Sequence, residues 1–263
     1  MIRVRHFRKG VRILHSYVTR RPLDPELARD LHVWGLRARI WQSNIMRKPL
    51  DVRLRHEFNL WAQYGIDEGM ENPHRRITEQ AIQRMNLNPD DRILDLACGG
   101  GLASRFMAAS LSGSGQVIGM DVSDGMARGA RARGSQFNNL TYLCGSAQQI
   151  PFRESFFTKV LSVEAFYYFE SQERALAELY RVMASGGRLY LLICLYTDHT
   201  DSLRTVNSVN VPVHVRSIAE YKAMLRSGGW VGIAAEEFVR KPEPGRKPDV
   251  HDRALLLSAQ KPA

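Results

Sequence analysis

The chain has 263 residues, of which 44% are hydrophobic, so it is long enough for one large domain with a full core and an additional segment. Its three cysteines, Cys98, Cys144 and Cys194, show neither metal-ligand spacing nor a disulfide framework, which indicates a reducing compartment and predicts a cytoplasmic protein. The longest apolar run, residues 189–196, is far shorter than the roughly 18 residues that a membrane-spanning helix requires.

The net charge of +10 is concentrated at the start of the chain. Residues 1–55 carry 14 Lys or Arg and 4 Asp or Glu, whereas residues 56–263 carry 23 of each kind. We therefore divide the chain into a basic helical N-terminal extension, residues 1–55, and a second, electrically balanced domain, residues 56–263.

Hydrophobic periodicity predicts two helices in the extension. Apolar residues recur at spacings of three and four within residues 1–21, beside several arginines. Residues 24–26 have the pattern of a helix start, and a second apolar stripe follows over residues 27–45. Three roles stay open for this segment: a surface through residues 1–48 that lies on an anionic membrane or docks a partner, a helical lid packed on the core, or an organelle transit peptide.

Residues 55–88 lead into the second domain. Trp61 and Tyr64 precede a predicted loop that contains Gly65, Gly69 and Pro73, and a helix is predicted over residues 75–85. Trp61 and Tyr64 have two alternative roles, closing over a ligand or packing against the core.

From residue 92 onward, short apolar strands alternate with helices. Strands are predicted near residues 92–97, 116–120, 140–144, 158–164, 187–195, 230–239 and 254–260. A helix at 217–227 and an exposed loop at 241–252 separate the last of them. The alternation predicts an α/β fold with a doubly wound, mostly parallel sheet.

The segment from residue 93 to residue 101 is a strand that breaks into a glycine-rich turn before a helix at Leu102. Glycines let a ligand approach the backbone, and the helix start offers free N–H groups. The next strand ends in Asp121, whose carboxylate can accept hydrogen bonds from a ribose diol; the alternative is that Asp121 caps the helix near Gly125. The third glycine of a dinucleotide motif would fall at Ser104, which disfavours a pyrophosphate ligand.

The pattern Asp95-x-Ala97-x-Gly99-x-Gly101 resembles motif I of the class I S-adenosylmethionine-dependent methyltransferases, with Ala97 in place of the family's first glycine. Residues 144–152, 157–160, 179–189 and 220–230 stand in the order of further family segments, although Ser146 and Thr158 each replace an aspartate. The resemblance covers roughly residues 75–261 and implies a Rossmann-like, seven-stranded fold with S-adenosylmethionine as cofactor. The cofactor residues that it implies are Asp95, Ala97, Cys98, Gly99, Gly101, Asp121, Val122, Met126, Ser146, Ala147 and Ser162.

The loop after the fourth strand, residues 162–168, is similar to the S-x-E segment of sterol and related small-molecule C-methyltransferases. This resemblance implies that Glu164 lies near the transferred methyl group; the alternative is a capping or cofactor-orienting carboxylate. The eight histidines show no metal-binding spacing, so no metal ion is expected. The residues that we expect to contact an apolar acceptor are Tyr64, Phe166, Tyr167, Tyr168 and Tyr196.

These observations leave three functional hypotheses. The first is methyl transfer to a small, apolar or lipid-like acceptor such as an isoprenoid or quinone precursor. The second, a nucleic-acid methyltransferase with a basic arm, is disfavoured because the loop after the fourth strand lacks a [DN]-P-P-[YF] pattern and the excess charge lies in the extension. The third is a catalytically degenerate docking protein, suggested by the departures at Ser146 and Thr158.

Overall fold

The computed structural model describes residue 35 and residues 37–203, 211–240 and 249–263. The chain divides into two compact units, Met1–Arg47 and Lys48–Ala263. In the first unit, residues 37–45 are helical, and the rest of the two helices predicted for the extension lies outside the described residues, as does most of the predicted membrane-binding surface. None of the helices in the described part of the chain combines the length and the apolar character that crossing a bilayer needs.

The second unit begins with two helices and continues as alternating strands and helices. Its seven strands are β1 (Arg92–Leu96), β2 (Gln116–Asp121), β3 (Leu140–Cys144), β4 (Phe157–Val163), β5 (Met183–Ile193), β6 (Val231–Val239) and β7 (Arg253–Gln260). Its helices are α1 (Leu50–Tyr64), α2 (Ile66–Met85), α3 (Leu102–Ser110), α4 (Asp124–Arg133), α5 (Gln172–Val182) and α6 (Ile218–Ser227).

The strands form one sheet in the order β3-β2-β1-β4-β5-β7-β6. Strands β1 to β5 are parallel, and β7 runs antiparallel to both of its neighbours. The predicted doubly wound, Rossmann-like sheet is therefore confirmed. Because the strand order reverses at β1, a crevice lies beside its carboxyl end, which is where ligands bind in open parallel sheets.

Helices cover both faces of the sheet, so neighbouring residues of a central strand enter different clusters. In β1, Leu94 packs in a cluster that contains Leu176 of α5, whereas Ile93 packs with Ile77 of α2 and Met107 of α3. Full burial of each such side chain contributes about 1.5–3 kcal/mol to stability. Burial on both faces explains why the central strands read as continuous apolar runs.

The first two helices differ from the sequence-based expectation. The loop predicted around Gly65, Gly69 and Pro73 is wrong: Gly65, with φ +68°, forms a one-residue break between α1 and α2, and the other two lie inside α2. Glycine and proline weaken a helix in isolation, but here the first turns of α2 are held by ion pairs described below. Helix α1 also runs across the predicted domain boundary at residues 55 and 56.

Candidate active site

A cavity of about 670 Å³ opens at the carboxyl edge of the sheet. The loops that follow β1, β2, β3 and β4 line it, together with side chains of α1 and α2 and the turn before β7. The predicted cofactor loop and the predicted catalytic loop therefore lie in the same cavity.

The glycine-rich turn after β1 has three residues with left-handed backbone. Ala97, Gly99 and Gly101 have φ of +59°, +50° and +82°. A β-carbon on Gly99 would meet no other atom within 4 Å, whereas one on Gly101 would collide with the Tyr142 hydroxyl. Gly99 thus leaves open space beside the backbone for a ligand, and Gly101 is needed for packing. At Ala97 the left-handed conformation costs roughly 1–2 kcal/mol, so glycine would be less strained there.

Asp121 ties the end of β2 to the glycine-rich turn. Its Oδ2 accepts a hydrogen bond from the Gly99 N–H at 2.9 Å, and its Oδ1 accepts one from the Ser123 N–H at 2.8 Å. Burial raises the pKa of Asp121 to about 6, although these hydrogen bonds oppose the rise. Each oxygen retains a further lone pair for a ligand hydroxyl.

Helix α4 is capped by Ser123 and not by Asp121. The Ser123 hydroxyl accepts a hydrogen bond from the Met126 N–H at 3.0 Å, which makes Ser123 the N-cap. The alternative role of Asp121 as the cap of α4 is therefore wrong.

Asp95 connects β1 to the helix behind the turn. Its carboxylate is 1% exposed and accepts a hydrogen bond from the Ser104 hydroxyl of α3 at 2.5 Å. Burial raises the pKa of Asp95 to about 7, against the opposing effect of the Ser104 hydrogen bonds. The contact fixes the distance between the strand and the helix, and thereby the shape of the turn.

Two arginines join α2 to the glycine-rich turn. Arg105 and Arg133 both donate to the Gly100 carbonyl, at 2.8 and 3.1 Å. Each also pairs with an acidic residue of α2: Arg105 with Glu71 and Arg133 with Asp67, both at 2.6 Å. This half-buried network holds the start of α2 against the turn and explains why a helix forms where local sequence disfavours one.

Helix α1 is fastened across the start of α4. The side-chain amide oxygen of Asn59, Oδ1, accepts hydrogen bonds from the Ser123 hydroxyl at 2.6 Å and from the Gly125 N–H at 2.9 Å. Of the two aromatic residues with alternative predicted roles, Trp61 lines the cavity, whereas Tyr64 does not and is 41% exposed. Helix α1 therefore forms a side of the cavity.

Most of the predicted cofactor residues come together at the cavity wall. Those that line it are Asp95, Ala97, Cys98, Gly99, Asp121, Val122, Met126 and Ala147. Gly101, Ser146 and Ser162 do not. Gly101 packs on Tyr142, and the Ser162 hydroxyl is buried without a hydrogen-bond partner among the described residues.

Each of the two departures from the family pattern has a hydrogen-bond partner within the fold. The Ser146 hydroxyl donates to Asp51 of α1, and the Thr158 hydroxyl donates to Asp91 at 2.7 Å. Ser146 and Thr158 themselves do not line the cavity.

The predicted acceptor residues divide between the cavity and other places. Tyr167 and Tyr168 line the cavity. Phe166 is buried against Phe169, and the buried Tyr196 donates its hydroxyl proton to Glu237 at 2.5 Å. The structure does not bring Tyr64, Phe166 or Tyr196 to the cavity lining.

Glu164 lines the cavity in a strained conformation. Its φ is +54°, a value that costs a non-glycine residue of order 1–3 kcal/mol and that persists only when several contacts enforce it. Its N–H donates to the Leu192 carbonyl at 2.8 Å, and its carboxylate accepts hydrogen bonds from the Tyr167 hydroxyl at 3.1 Å and from the Cys194 N–H. Burial raises the pKa of Glu164.

Two histidines that the sequence did not single out also line the cavity. The Nε2 atoms of His74, in α2, and His251, in the turn before β7, are 2.9 Å apart. Burial lowers the pKa of His74 to about 3. The two residues are 177 positions apart, so no spacing pattern could have connected them.

Sequence comparisons identify related proteins for the central part of the chain. The family model of a methyltransferase domain matches residues 94–191. A demethylmenaquinone methyltransferase of Symbiobacterium thermophilum is 38% identical over 128 residues, which are 48% of this chain and 48% of that protein. The ubiquinone/menaquinone biosynthesis C-methyltransferase UbiE of Legionella pneumophila is 30% identical over 122 residues, 45% of this chain and 49% of that protein. The chain thus spans about half the length of the curated relatives it matches.

Solved structures extend the similarity to most of the fold. A chain in the complex of the Haloferax volcanii Trm112 methyltransferase activator with a methyltransferase has a TM-score of 0.71 and 26% identity, over 79% of this chain and 98% of that one. An S-adenosylmethionine-dependent methyltransferase of Thermotoga maritima, 22% identical with a TM-score of 0.60 over 79% of this chain and 99% of that one, shares the fold. Residues 94–191 thus match a methyltransferase domain, and the chain has the fold of the class I S-adenosylmethionine-dependent methyltransferases, whose cofactor is S-adenosylmethionine.

Proposed function

We propose that this protein transfers a methyl group from S-adenosylmethionine to a small, largely apolar ring acceptor of the quinol or phenol class. The observation that carries the proposal is that one cavity contains the glycine-rich turn, Asp121, Glu164 and an apolar wall. The names of the relatives, which refer to demethylmenaquinone and to ubiquinone and menaquinone biosynthesis, support this acceptor class.

The residues at the ends of β1 and β2 fit the cofactor. The Asp121 carboxylate accepts hydrogen bonds from the ribose hydroxyls, and the open side of Gly99 allows close approach to the backbone. Met126 and Ala147 supply apolar contacts for the adenine ring. When bound, S-adenosylmethionine supplies an electrophilic methyl group on its sulfur atom.

The remaining lining fits an aromatic ring better than a charged polymer. It consists largely of apolar side chains from α1, α2 and the loops after β4 and β5, namely Leu54, Phe58, Trp61, Met70, Tyr168, Phe169, Leu195 and Val213. A ligand buried against such a wall is bound mainly by its apolar area, and a few polar groups fix its orientation.

Glu164 is the polar group that we expect to receive a ring hydroxyl of the acceptor. Because burial raises the pKa of Glu164, its carboxylate is a stronger base than an exposed one. Partial removal of the hydroxyl proton raises the electron density of the ring and of its oxygen, which favours attack on a methyl donor. The Tyr167 hydroxyl, 3.1 Å from Glu164, holds the carboxylate in place.

The test is an acceptor screen that measures S-adenosylhomocysteine formation with reduced short-chain naphthoquinols, benzoquinols, phenols and non-aromatic lipids. We expect turnover only with ring hydroxyl acceptors, and a fall in kcat of about 10²–10⁴ for Glu164→Gln with unchanged S-adenosylhomocysteine affinity. The matched control is Tyr64→Phe, outside the cavity lining. Cofactor binding without turnover on any quinol or phenol would refute the acceptor class.

A further inference from the structure

His74, Glu164 and His251 lie together in the wall of the cavity, although they come from α2, the loop after β4 and the turn before β7. One nitrogen or oxygen atom of each residue lies within 4.8 Å of those of the other two. The cofactor contacts described above involve neither histidine, so the cluster needs a separate explanation.

The partners of His251 direct one of its nitrogens toward this cluster. Its Nδ1 donates to Asp249 Oδ1 at 2.5 Å, and its carbonyl accepts a hydrogen bond from Arg76 at 2.7 Å. A proton on Nδ1 leaves the lone pair of Nε2 facing His74. Metal-bound imidazoles commonly make this outer contact to a carboxylate, which fixes the tautomer and the ring orientation.

His74 supplies a second nitrogen of the same kind. Its Nε2 is 2.9 Å from that of His251, and the centroids of the two rings are 4.6 Å apart. Two lone pairs this close repel each other unless a proton or a cation lies between them. Neutral imidazole is also the form that binds a metal ion.

The charge of the cluster favours the cation. Glu164 and Asp249 add two carboxylates, and among the described residues no lysine or arginine forms an ion pair with Glu164. The hydrogen bonds that Glu164 receives come from neutral donors, the Tyr167 hydroxyl and the Cys194 N–H. Burying a carboxylate among neutral hydrogen-bond donors is costly, and a bound cation would offset that cost.

We propose that His74, His251 and Glu164 bind a divalent first-row transition-metal ion, for which Zn²⁺ is the representative probe. Two imidazoles and a carboxylate favour such an ion over Mg²⁺ or Ca²⁺. Metal–ligand bonds of about 2.0–2.2 Å place two ligand atoms on opposite sides of an ion at most about 4.4 Å apart. The three candidate ligand atoms lie within 4.8 Å of one another, so small side-chain rotations complete the site. The three protein ligands leave at least one position open.

The role of the ion rests on the proposed function, whereas its binding does not. An acceptor oxygen at the open position would have a lowered pKa, so the ion would take over the activation of the hydroxyl and Glu164 would act by holding the ion. The site thus selects ring acceptors with an oxygen that can reach a metal.

The test is metal binding by the full chain, expressed without a histidine tag and stripped with a chelator. Calorimetric titration with Zn²⁺, elemental analysis and the visible absorption of a Co²⁺ form measure affinity, stoichiometry and coordination. We expect one ion per chain, affinity weakened roughly 10–100-fold by Asp249→Asn, and a larger loss in His251→Ala. His214→Ala, an exposed histidine outside the cavity lining, should bind like the wild type.

Each outcome bears on the inference. No stoichiometric ion in the wild type, or equal binding by all variants, would overturn it, and the contact between His74 and His251 would then be an ordinary hydrogen bond. Asp249→Asn changes a half-exposed residue, so it tests the site even if His251→Ala does not fold. Affinity for S-adenosylhomocysteine is measured in the same samples: intact cofactor binding without a metal refutes only this inference, whereas loss of cofactor binding by the wild type refutes the proposed function.

Discussion

Lowering the pH from 7 to 5 should weaken the binding of S-adenosylhomocysteine through protonation of Asp121. The carboxyl is 6% exposed, and burial raises its pKa from an ordinary value of 3.8 to about 6. Ribose hydroxyls donate to an ionised carboxylate more strongly than to a protonated one, so the ligand binds the ionised form. The affinity should therefore follow the ionised fraction of Asp121.

The size of the effect follows from this pKa. A carboxyl with a pKa of about 6 is about 90% ionised at pH 7 and about 10% ionised at pH 5. The affinity should fall about tenfold between these values, or about 1.4 kcal/mol. Asp95, whose pKa burial raises to about 7, lies close enough to influence Asp121, so the transition should be broader than that of a single group.

The contribution of Asp121 to stability should change in the opposite direction over the same range. Because the pKa of Asp121 is higher in the folded protein than in the unfolded chain, the folded state binds more protons between pH 6 and 3.8. The contribution of this carboxyl to the free energy of unfolding therefore rises as the pH falls through that window. Protonation of Asp121 should thus weaken ligand binding at pH 5 without destabilising the folded protein.

The assay is calorimetric titration of the wild type and of Asp121→Asn with S-adenosylhomocysteine from pH 8 to pH 5, with circular dichroism at each pH. The wild type should lose about tenfold in affinity, whereas the variant should bind weakly at every pH. A wild-type affinity that does not change between pH 7 and 5, or a variant that keeps the same pH dependence, would refute this account of Asp121.

Three further substitutions test contacts that hold the fold and the cavity together. Gly101→Ala forces a β-carbon into Tyr142 at a φ of +82° and should lower the free energy of unfolding by about 1–3 kcal/mol in urea titrations; an unchanged midpoint would contradict this. Lys159→Met leaves Asp91, its partner at 2.5 Å, buried without a cation and should lower the free energy of unfolding by about 3–5 kcal/mol in the same assay. Adding Asp91→Asn should recover much of that loss, whereas strictly additive effects of the two substitutions would argue against the ion pair. Asn59→Ala releases α1 from the start of α4 and should speed dissociation of S-adenosylhomocysteine in stopped-flow measurements, whereas an unchanged rate would mean that α1 does not retain the ligand.

The local sequence determined the sheet and the turn that faces the cofactor. Buried parallel strands are apolar runs between turn residues, so β1 to β4 begin and end within a residue or two of their predicted positions. The turn after β1 was predictable because Gly99 and Gly101 supply the positive φ that a strand-to-helix turn of this kind needs. Asp121, at the acidic end of β2, was also predictable from local sequence, because only a few residues separate it from the next helix.

Local patterns failed where distant contacts outweigh them. Gly69 and Pro73 argue against a helix, yet both lie in α2 because ion pairs with Arg105 and Arg133 hold its first turns. The direction of a side chain also depends on tertiary packing: neighbouring residues Phe166 and Tyr167 are both aromatic, but only the second lines the cavity.

Only the tertiary structure brings two histidines of the cavity next to Glu164. Glu164 could be anticipated, because the carboxyl ends of parallel strands share one edge of the sheet. His74 and His251 could not, because they are 177 residues apart and meet only when α2 and the turn before β7 pack against that edge. A sequence records the chemistry of each side chain, whereas the distance between two such groups depends on every element folded between them.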